Sequence, residues 1–469
     1  MISNSKVAVI GAGIAGSEAA WQLAQRGISV DLYEMRPVRM TEAHTTAKCA
    51  ELVCSNSFGS DSPNTASRIL KEEVAILGGF VLAHARDAAV PAGASLAVDR
   101  EKFADAVSEK LKSQPLITYH TEEMLSIPQN QVTIIATGPL TSPTLSQSLS
   151  ELVGSESLYF YDAISPIVSA DSLDMANLFF ASRYDKGEPD FLNIPLSQEQ
   201  YETLIQDLLT GDVVLPHDFE EEKYFEGCMP IEAIAARGPM TLAFGPMKPV
   251  GLNHPQTGKR AYAVVQLRTE NKYRTSYNLV GFQTKLKYKE QERVFRKLPG
   301  LANAEFLRLG SMHRNTYINS PQALNPTLQM RQHPAIFLAG QLTGTEGYLE
   351  SCATGLLAGI NAARLIRGEI LLELPPTTML GSLLGAITDT ARTPFQPMNS
   401  NMGILPPLPE LVKDKKLRYA AYAERAITEM KNFARENWED SFSDQGHWPE
   451  RDNRGRKSPV EFPVAIPNH

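Results

Sequence analysis

Four cysteines, Cys49, Cys54, Cys228 and Cys352, offer the most reactive side-chain chemistry in this 469-residue chain. Cys49 and Cys54 stand five positions apart in KCAELVCSNSFG, and Cys228 opens GCMPIEAIAARG. A thiolate can act as nucleophile, redox partner or metal ligand. Zinc would need four donors, and no second C-x2-C or H-x3-H completes the set, so no metal is expected. On a regular helix an i,i+5 pair is separated by about 7.5 Å of rise alone, beyond the ~7 Å that a disulfide spans. Cys352 sits among small residues in LESCATG and reads as a packing thiol. For Cys54 and Cys228 the residues alone leave packing and reactivity both open.

A glycine fingerprint precedes the cysteine pair. The β-branched run from Lys6 to Ile10 ends at Gly11, and GAGIAG sets Gly11, Gly13 and Gly16 in G-x-G-x-x-G register around Ala12. IAGSEAAWQLAQR predicts a helix with a small-residue face, stopped at Gly27, and ISVDLYE predicts a strand ending on Glu34. Strand, glycine turn, helix, strand and terminal acid in that order predict a dinucleotide site. The glycines admit a pyrophosphate, the helix start supplies N–H donors, and Glu34 can accept from a ribose. An acid there disfavours a 2′-phosphate, so the site reads as FAD or NAD rather than NADP.

Two later segments read as returns to the same sheet. QVTIIATGPL is a buried strand ending at Gly138, and AIFLAGQLTGTEGYLESCATGLLAGINAARLI is a strand, a glycine loop and a long helix. Gly340, Thr343, Gly344 and Gly347 in that loop are candidates for a second cofactor arm. These features resemble the FAD-binding half of two-dinucleotide-domain flavoproteins, and that resemblance favours FAD. The fold class expected is α/β, a Rossmann-like (glutathione-reductase-type) FAD-binding domain carrying an inserted α+β substrate domain. Its expected divisions are 1–145 and 331–440 for the FAD-binding domain, 146–330 for the insert and 441–469 for a tail. Within 407–436, Leu417, Ala420, Ala423, Ile427, Met430 and Ala434 are spaced to line one helix face.

The flavoprotein disulfide reductases also place a C-x4-C pair after such a fingerprint. They add a second G-x-G-x-x-G and a C-terminal His-Glu pair, and this chain has neither. Net charge of −8 excludes a global basic field, leaving nucleic acid to a local patch. The run 283–297 provides one, with Lys285, Lys287, Lys289, Arg293 and Arg296 interleaved with Tyr288 and Phe295. No apolar run approaches the roughly 20 residues of a membrane span, and the sparse cysteines suit a reducing compartment, so a cytoplasmic protein without membrane partners is expected.

Longer motifs identify a family. GAGIAGSEAAWQLAQRGISVDLYEMRP, AELVCSNSF, GCMPIEAIAARG, FGPMKPVGL, MHRNTYINSP and LAGQLTGTEGYLES together closely resemble the folate-dependent, FAD-containing tRNA uracil-5 methyltransferases, in register from about 6 to 370. The resemblance implies transfer of the methylene of 5,10-methylenetetrahydrofolate to C5 of uridine 54 in the T-arm of tRNA, reduction by FADH2, and recharging of the flavin by NADH or NADPH. It implies Cys228 as nucleophile and Cys54 as its assistant, and leaves Cys49 incidental. It also implies His313 stacked on the pterin with Arg314 beside it, Tyr348 against the flavin, and tRNA on the basic patch. The wobble-uridine-modifying flavoproteins are the related alternative. A thiol-dependent flavin reductase without RNA substrate, or a non-catalytic flavin-binding RNA chaperone, would fit the cofactor motifs too.

Overall fold

Runs of β-branched and apolar residues, each followed by a helix, build a parallel sheet whose strands are buried on both faces. In this computed structural model, which describes residues 3–154, 158–185, 188–214, 224, 229–255, 257–271, 273–392 and 395–442, that sheet has five strands. Their order is Ile336–Leu338, Gln131–Ile135, Ser3–Ile10, Ser29–Glu34 and Ile117–Thr121, all parallel. The first strand is central, and the chain leaves it to one side and returns on the other. That reversal opens a crevice at the strands' carboxyl ends, where nucleotides bind in such sheets.

Close backbone approach explains the small residues. The fingerprint helix Ile14–Gln25 crosses the return helix Tyr348–Arg367 so tightly that a Cβ on Gly355 would lie 2.3 Å from the Ala15 carbonyl oxygen. A single core runs from Val7 to Met430 in sequence and unites the sheet with these helices. Cys49 and Cys352 are fully buried within it.

A second core, drawn from residues 168–306, belongs to a six-stranded antiparallel sheet. Its strand order is Phe179–Ala181, Phe191–Leu196, Ala263–Thr269, Ser276–Leu279, Ile167–Ser169 and Phe306–Arg308. A two-stranded ribbon, Leu158–Ala163 with Met312–Tyr317, runs where the chain enters and leaves that region. The molecule is thus α/β with a mostly antiparallel insert.

The expected C-terminal helix spans Lys415–Phe442 and packs on Ala66–Ile76. Its buried residues are Ala423, Ala426 and Met430, whereas Leu417 is 65% exposed. The apolar spacing holds for the middle of the helix; its first turn projects past the core, which corrects the expectation for Leu417. Cys228 and most of the acidic run before it lie outside the described residues, as does the chain after 442.

Candidate active site

The crevice is lined by Gly11, Gly13, Glu34, Arg36, Gly138 and Gly340 among others, with Val53 and Tyr348 also in its wall. It encloses about 990 Å³, counting solvent at its mouth.

The fingerprint glycines divide their work. A Cβ on Gly16 would lie 1.8 Å from the Gly11 oxygen, so Gly16 lets the helix pack onto the strand end. A Cβ on Gly13 would meet nothing within 4 Å, so Gly13 leaves open space before the helix start. Gly13 is also the N-cap, no side chain caps its turn, and no acid lies in the first turn. Free N–H donors therefore face the crevice, an arrangement that suits a pyrophosphate. The residues present fit a dinucleotide.

Glu34 ends its strand 5% exposed. One oxygen accepts from Ala12 N–H at 3.0 Å and Arg36 Nη2 at 3.1 Å; the other accepts from Arg36 N–H at 3.1 Å and Arg36 Nε at 2.8 Å. Burial alone would raise this carboxyl, but Arg36's hydrogen bonds and charge outweigh it and hold the pKa below the ordinary value. With four acceptor positions already engaged, a ribose hydroxyl would have to replace or share one of these donors. Arg36 itself, 2% exposed, commits its whole guanidinium to Glu34, to Glu51 at 3.0 Å and to the carbonyls of Thr46 and Lys48. His44, in the same wall, is pushed down to about 4 by burial and then by Arg36, so its imidazole is neutral at pH 7.

Sequence reasoning had no signal for Arg36 beyond its place two residues after Glu34. It also gave no sign that Thr343 and Gly344 serve the turn itself. Thr343 Oγ1 donates to the Gly340 carbonyl at 2.8 Å, and a Cβ on Gly344 would collide with Phe395 at 2.5 Å. Gly340 and Tyr348 reach the crevice wall, while Thr343, Gly344 and Gly347 stand behind it.

Cys54 lies on a loop beside Tyr348, the return helix's first residue. Its backbone N–H donates to Tyr348 Oη at 2.8 Å, across 294 positions of chain. Its carbonyl accepts from Arg100 Nη2 at 2.8 Å, and Arg100 also holds the Leu52 carbonyl and the Glu270 carboxylate. Cys54 is half-buried on an irregular loop, and Cys49 is buried with its N–H on Ser108 Oγ at 2.8 Å. Burial raises the Cys49 thiol, as a packing role predicts. No sequence pattern pointed to Arg100 or Glu270.

The remaining predicted residues fall on the insert. His313 and Arg314 lie on the strand Met312–Tyr317, in register with Asp162 and Tyr161. Glu232 of the Cys228 motif is buried, and it accepts from Thr284 Oγ1 and from Lys285 N–H at 3.2 Å, tying that motif to the basic run. In the run itself, Arg293 pairs with Asp207 at 2.6 Å and Glu290 at 2.7 Å, Lys287 with Asp212 at 3.8 Å, and Arg296 with Glu292 at 3.9 Å. Lys285 Nζ donates to Tyr224 Oη at 3.0 Å. Lys289 is exposed and makes no ion pair among the described residues. Among the described residues no group of three or more His, Cys, Asp or Glu is placed to hold a metal ion, and no helix is long and apolar enough to cross a membrane.

Comparison with known proteins agrees with this architecture. The family described as "Glucose inhibited division protein A" matches residues 6–370. The crystal structure of Aquifex aeolicus GidA superposes with a TM-score of 0.66 at 17% identity, covering 92% of this chain and 73% of that one, which establishes the shared fold. Methylenetetrahydrofolate–tRNA-(uracil-5-)-methyltransferase TrmFO of Enterococcus faecalis is 55% identical over 424 residues, 90% of this chain and 97% of that protein. The Moorella thermoacetica protein of the same name is 56% identical over the same shares of both chains. The chain belongs to the glucose inhibited division protein A family and, within it, to the TrmFO methylenetetrahydrofolate–tRNA-(uracil-5-)-methyltransferases.

Proposed function

We infer that this protein methylates C5 of uridine 54 in the T-arm of tRNA, with 5,10-methylenetetrahydrofolate as carbon donor, FAD as cofactor and NADH or NADPH as the source of electrons. The observation that carries the reading is identity above 50% to TrmFO proteins across about 90% of the chain. It is supported by a dinucleotide crevice whose wall residue Tyr348 touches the Cys54 backbone. Bound FAD, once reduced, supplies the electron pair that turns a methylene carbon into a methyl group.

The chain's own residues do the rest. Gly13 gives the cofactor's phosphates room at the start of the helix Ile14–Gln25, whose first-turn N–H groups are their donors, and Gly11, Gly138 and Gly340, all at positive φ, shape the turns around the crevice. The Arg36–Glu34 pair fixes the strand end beside them. Uracil C5 is a poor nucleophile until a group adds to C6, and a thiolate is suited to that addition. We assign the addition to Cys228 and removal of the C5 proton to Cys54, which Arg100 and Tyr348 hold in place by its backbone. His313 and Arg314 are assigned to the pterin. The substrate-facing region is 146–330, with the 283–297 run meeting the RNA backbone.

The test is direct. Undermethylated tRNA is incubated with the holoenzyme, reduced nicotinamide and labelled methylenetetrahydrofolate, and its nucleosides are analysed by mass spectrometry. Labelled 5-methyluridine at position 54 is expected, and its absence would sink the reading. Cys228→Ala and Cys54→Ser should each abolish product, and Cys49→Ser should retain it.

A further inference from the structure

Two buried hydrogen-bond donors on the insert have no acceptor among the described residues. Arg268 is 9% exposed and Asn278 3%, yet Arg268 Nε and Asn278 Nδ2 are unpartnered. They stand directly opposite each other on the antiparallel strands Ala263–Thr269 and Ser276–Leu279. Cross-strand partners project from one face with Cβ atoms about 4.5–5.5 Å apart, so the two side chains leave the sheet side by side. Buried polar groups are nearly always paired, and two adjacent orphans on registered strands point to an acceptor that arrives from outside the chain.

Their surroundings say which acceptor. Glu270, two residues beyond Arg268, grips Arg100, and Arg100 holds the Leu52 and Cys54 carbonyls. Asn56 Nδ2 ties the same loop to the Thr269 carbonyl at 3.2 Å. The donors therefore sit on the strand end against which the Cys54 loop is clamped. Burial depresses the Arg268 pKa, Glu270 opposes that effect, and Arg100 adds to it. Arg308, whose pKa is also depressed by burial and by Arg100, adds a further positive charge to this neighbourhood. An RNA phosphate carries its charge permanently and is commonly met at the protein surface, where Lys and Arg displace its counterions. A dry pair of donors beside a reactive thiol matches an oxygen whose charge appears only during reaction.

We propose that Arg268 and Asn278 form a donor pocket for the uracil O4, holding the negative charge that develops there when a thiolate adds to C6. In that step the sulfur–C6 bond forms, the C5=C6 electron pair moves into conjugation with C4=O, and O4 becomes an enolate oxygen. Nothing leaves, and the same electrons return when the thiol departs. The inference rests on the proposed uracil chemistry and assigns it two catalytic residues beyond the cysteines.

The experiment uses holoenzyme and tRNA tritiated at uridine C5. Tritium release without folate reports addition at C6 followed by proton exchange at C5 and reversal, with no methylene transfer, and methylation with folate gives kcat and KM. For Arg268→Gln and Asn278→Leu, release and kcat should each fall about 10²-fold, with KM for tRNA within about threefold and flavin content unchanged. Retained kcat with a large rise in KM for tRNA or folate would overturn the pocket, making these residues anchors for a permanent anion. Wild-type rates in both variants would also overturn it. If Arg268→Gln fails to fold, Arg268→Lys and Asn278→Leu carry the same test. If wild-type enzyme forms no 5-methyluridine, the proposed function fails with it; methylation by wild type and by unimpaired variants sinks the pocket alone.

Discussion

The loop that carries Cys54 runs between two buried arginines employed in opposite ways. Arg36, under the dinucleotide crevice, spends its guanidinium on two carboxylates and two carbonyls. Arg268, across the loop on the insert, has its Nε buried without a partner. A buried charge is tolerated when its partners are built in; one left short of partners marks a place where the fold gives up stability for something else. The crevice wall is finished structure, and the Arg268 face is an unfinished site.

Breaking the finished side should cost most. Arg36→Met strands Glu34 and Glu51 beneath the crevice, and removing one partner of a buried pair costs about 3–5 kcal/mol. Urea unfolding of the variant should show that loss, together with release of the cofactor on dilution. A loss below about 1 kcal/mol, in the range of an exposed pair, would mean that the pair is not the support described here.

A second carboxylate sharpens the contrast. Glu73 is as buried as Glu34 and accepts from Met379 N–H at 2.7 Å and Leu380 N–H at 2.8 Å, so its hydrogen bonds are made. No cation accompanies them, and burial pushes its pKa up to about 8, against 4.5 ordinarily. Glu34, with a guanidinium, lies below its ordinary value. The signs then differ. Glu34's contribution is present above pH 4.5 and lost on acidification. Glu73's is fully present below about pH 4.5 and is lost as pH rises towards 8. Glu73→Gln should flatten the fall in stability between pH 5 and 8, whose slope reaches at most about 1.4 kcal/mol per pH unit for one proton. An unchanged slope in thermal melts across that range would remove Glu73 as its source.

These cases also show what could be read from the chain. The G-x-G-x-x-G turn was legible because its demand is local: Gly16 must clear the Gly11 carbonyl five residues away. That two later segments return to the same sheet was legible too, from their buried strands ending at glycine turns. The Cys54 neighbourhood was not legible, because Tyr348 is 294 positions away and Glu270 reaches Arg100 across 170. No periodicity or spacing records which loops a tertiary fold will press together. Charge counting misses part of the balance for a related reason. The 283–297 window contains its cations but not Asp207, which neutralises Arg293 from 86 positions upstream.

The unfinished side should respond in the opposite sense to Arg36. Arg268→Met removes a buried charge and puts an apolar chain of similar length in its place. Stability should hold or rise, by roughly 1 kcal/mol, while methylation falls. Such a trade of activity against stability is the mark of a residue kept for function. Destabilisation comparable to that of Arg36→Met would show that Arg268 has a structural partner and belongs with the finished set.

The smallest expected effect applies the same distinction to the surface. Arg293 and Lys289 lie on one helix, Tyr288–Phe295, within the proposed RNA-facing run. Arg293 is held by Asp207 and Glu290, whereas Lys289 makes no ion pair among the described residues. A cation that binds a phosphate releases one counterion, so its loss lowers the salt slope of binding by about 1. Arg293 must first abandon two carboxylates, and an exposed pair of that kind is worth only about 0–1 kcal/mol. Lys289→Ala should therefore reduce the salt dependence of tRNA affinity by close to one unit, and Arg293→Ala by distinctly less. Equal slopes for the two variants would mean that the ion pairs open on binding and that surface pairing, unlike buried pairing, does not separate structure from function in this protein.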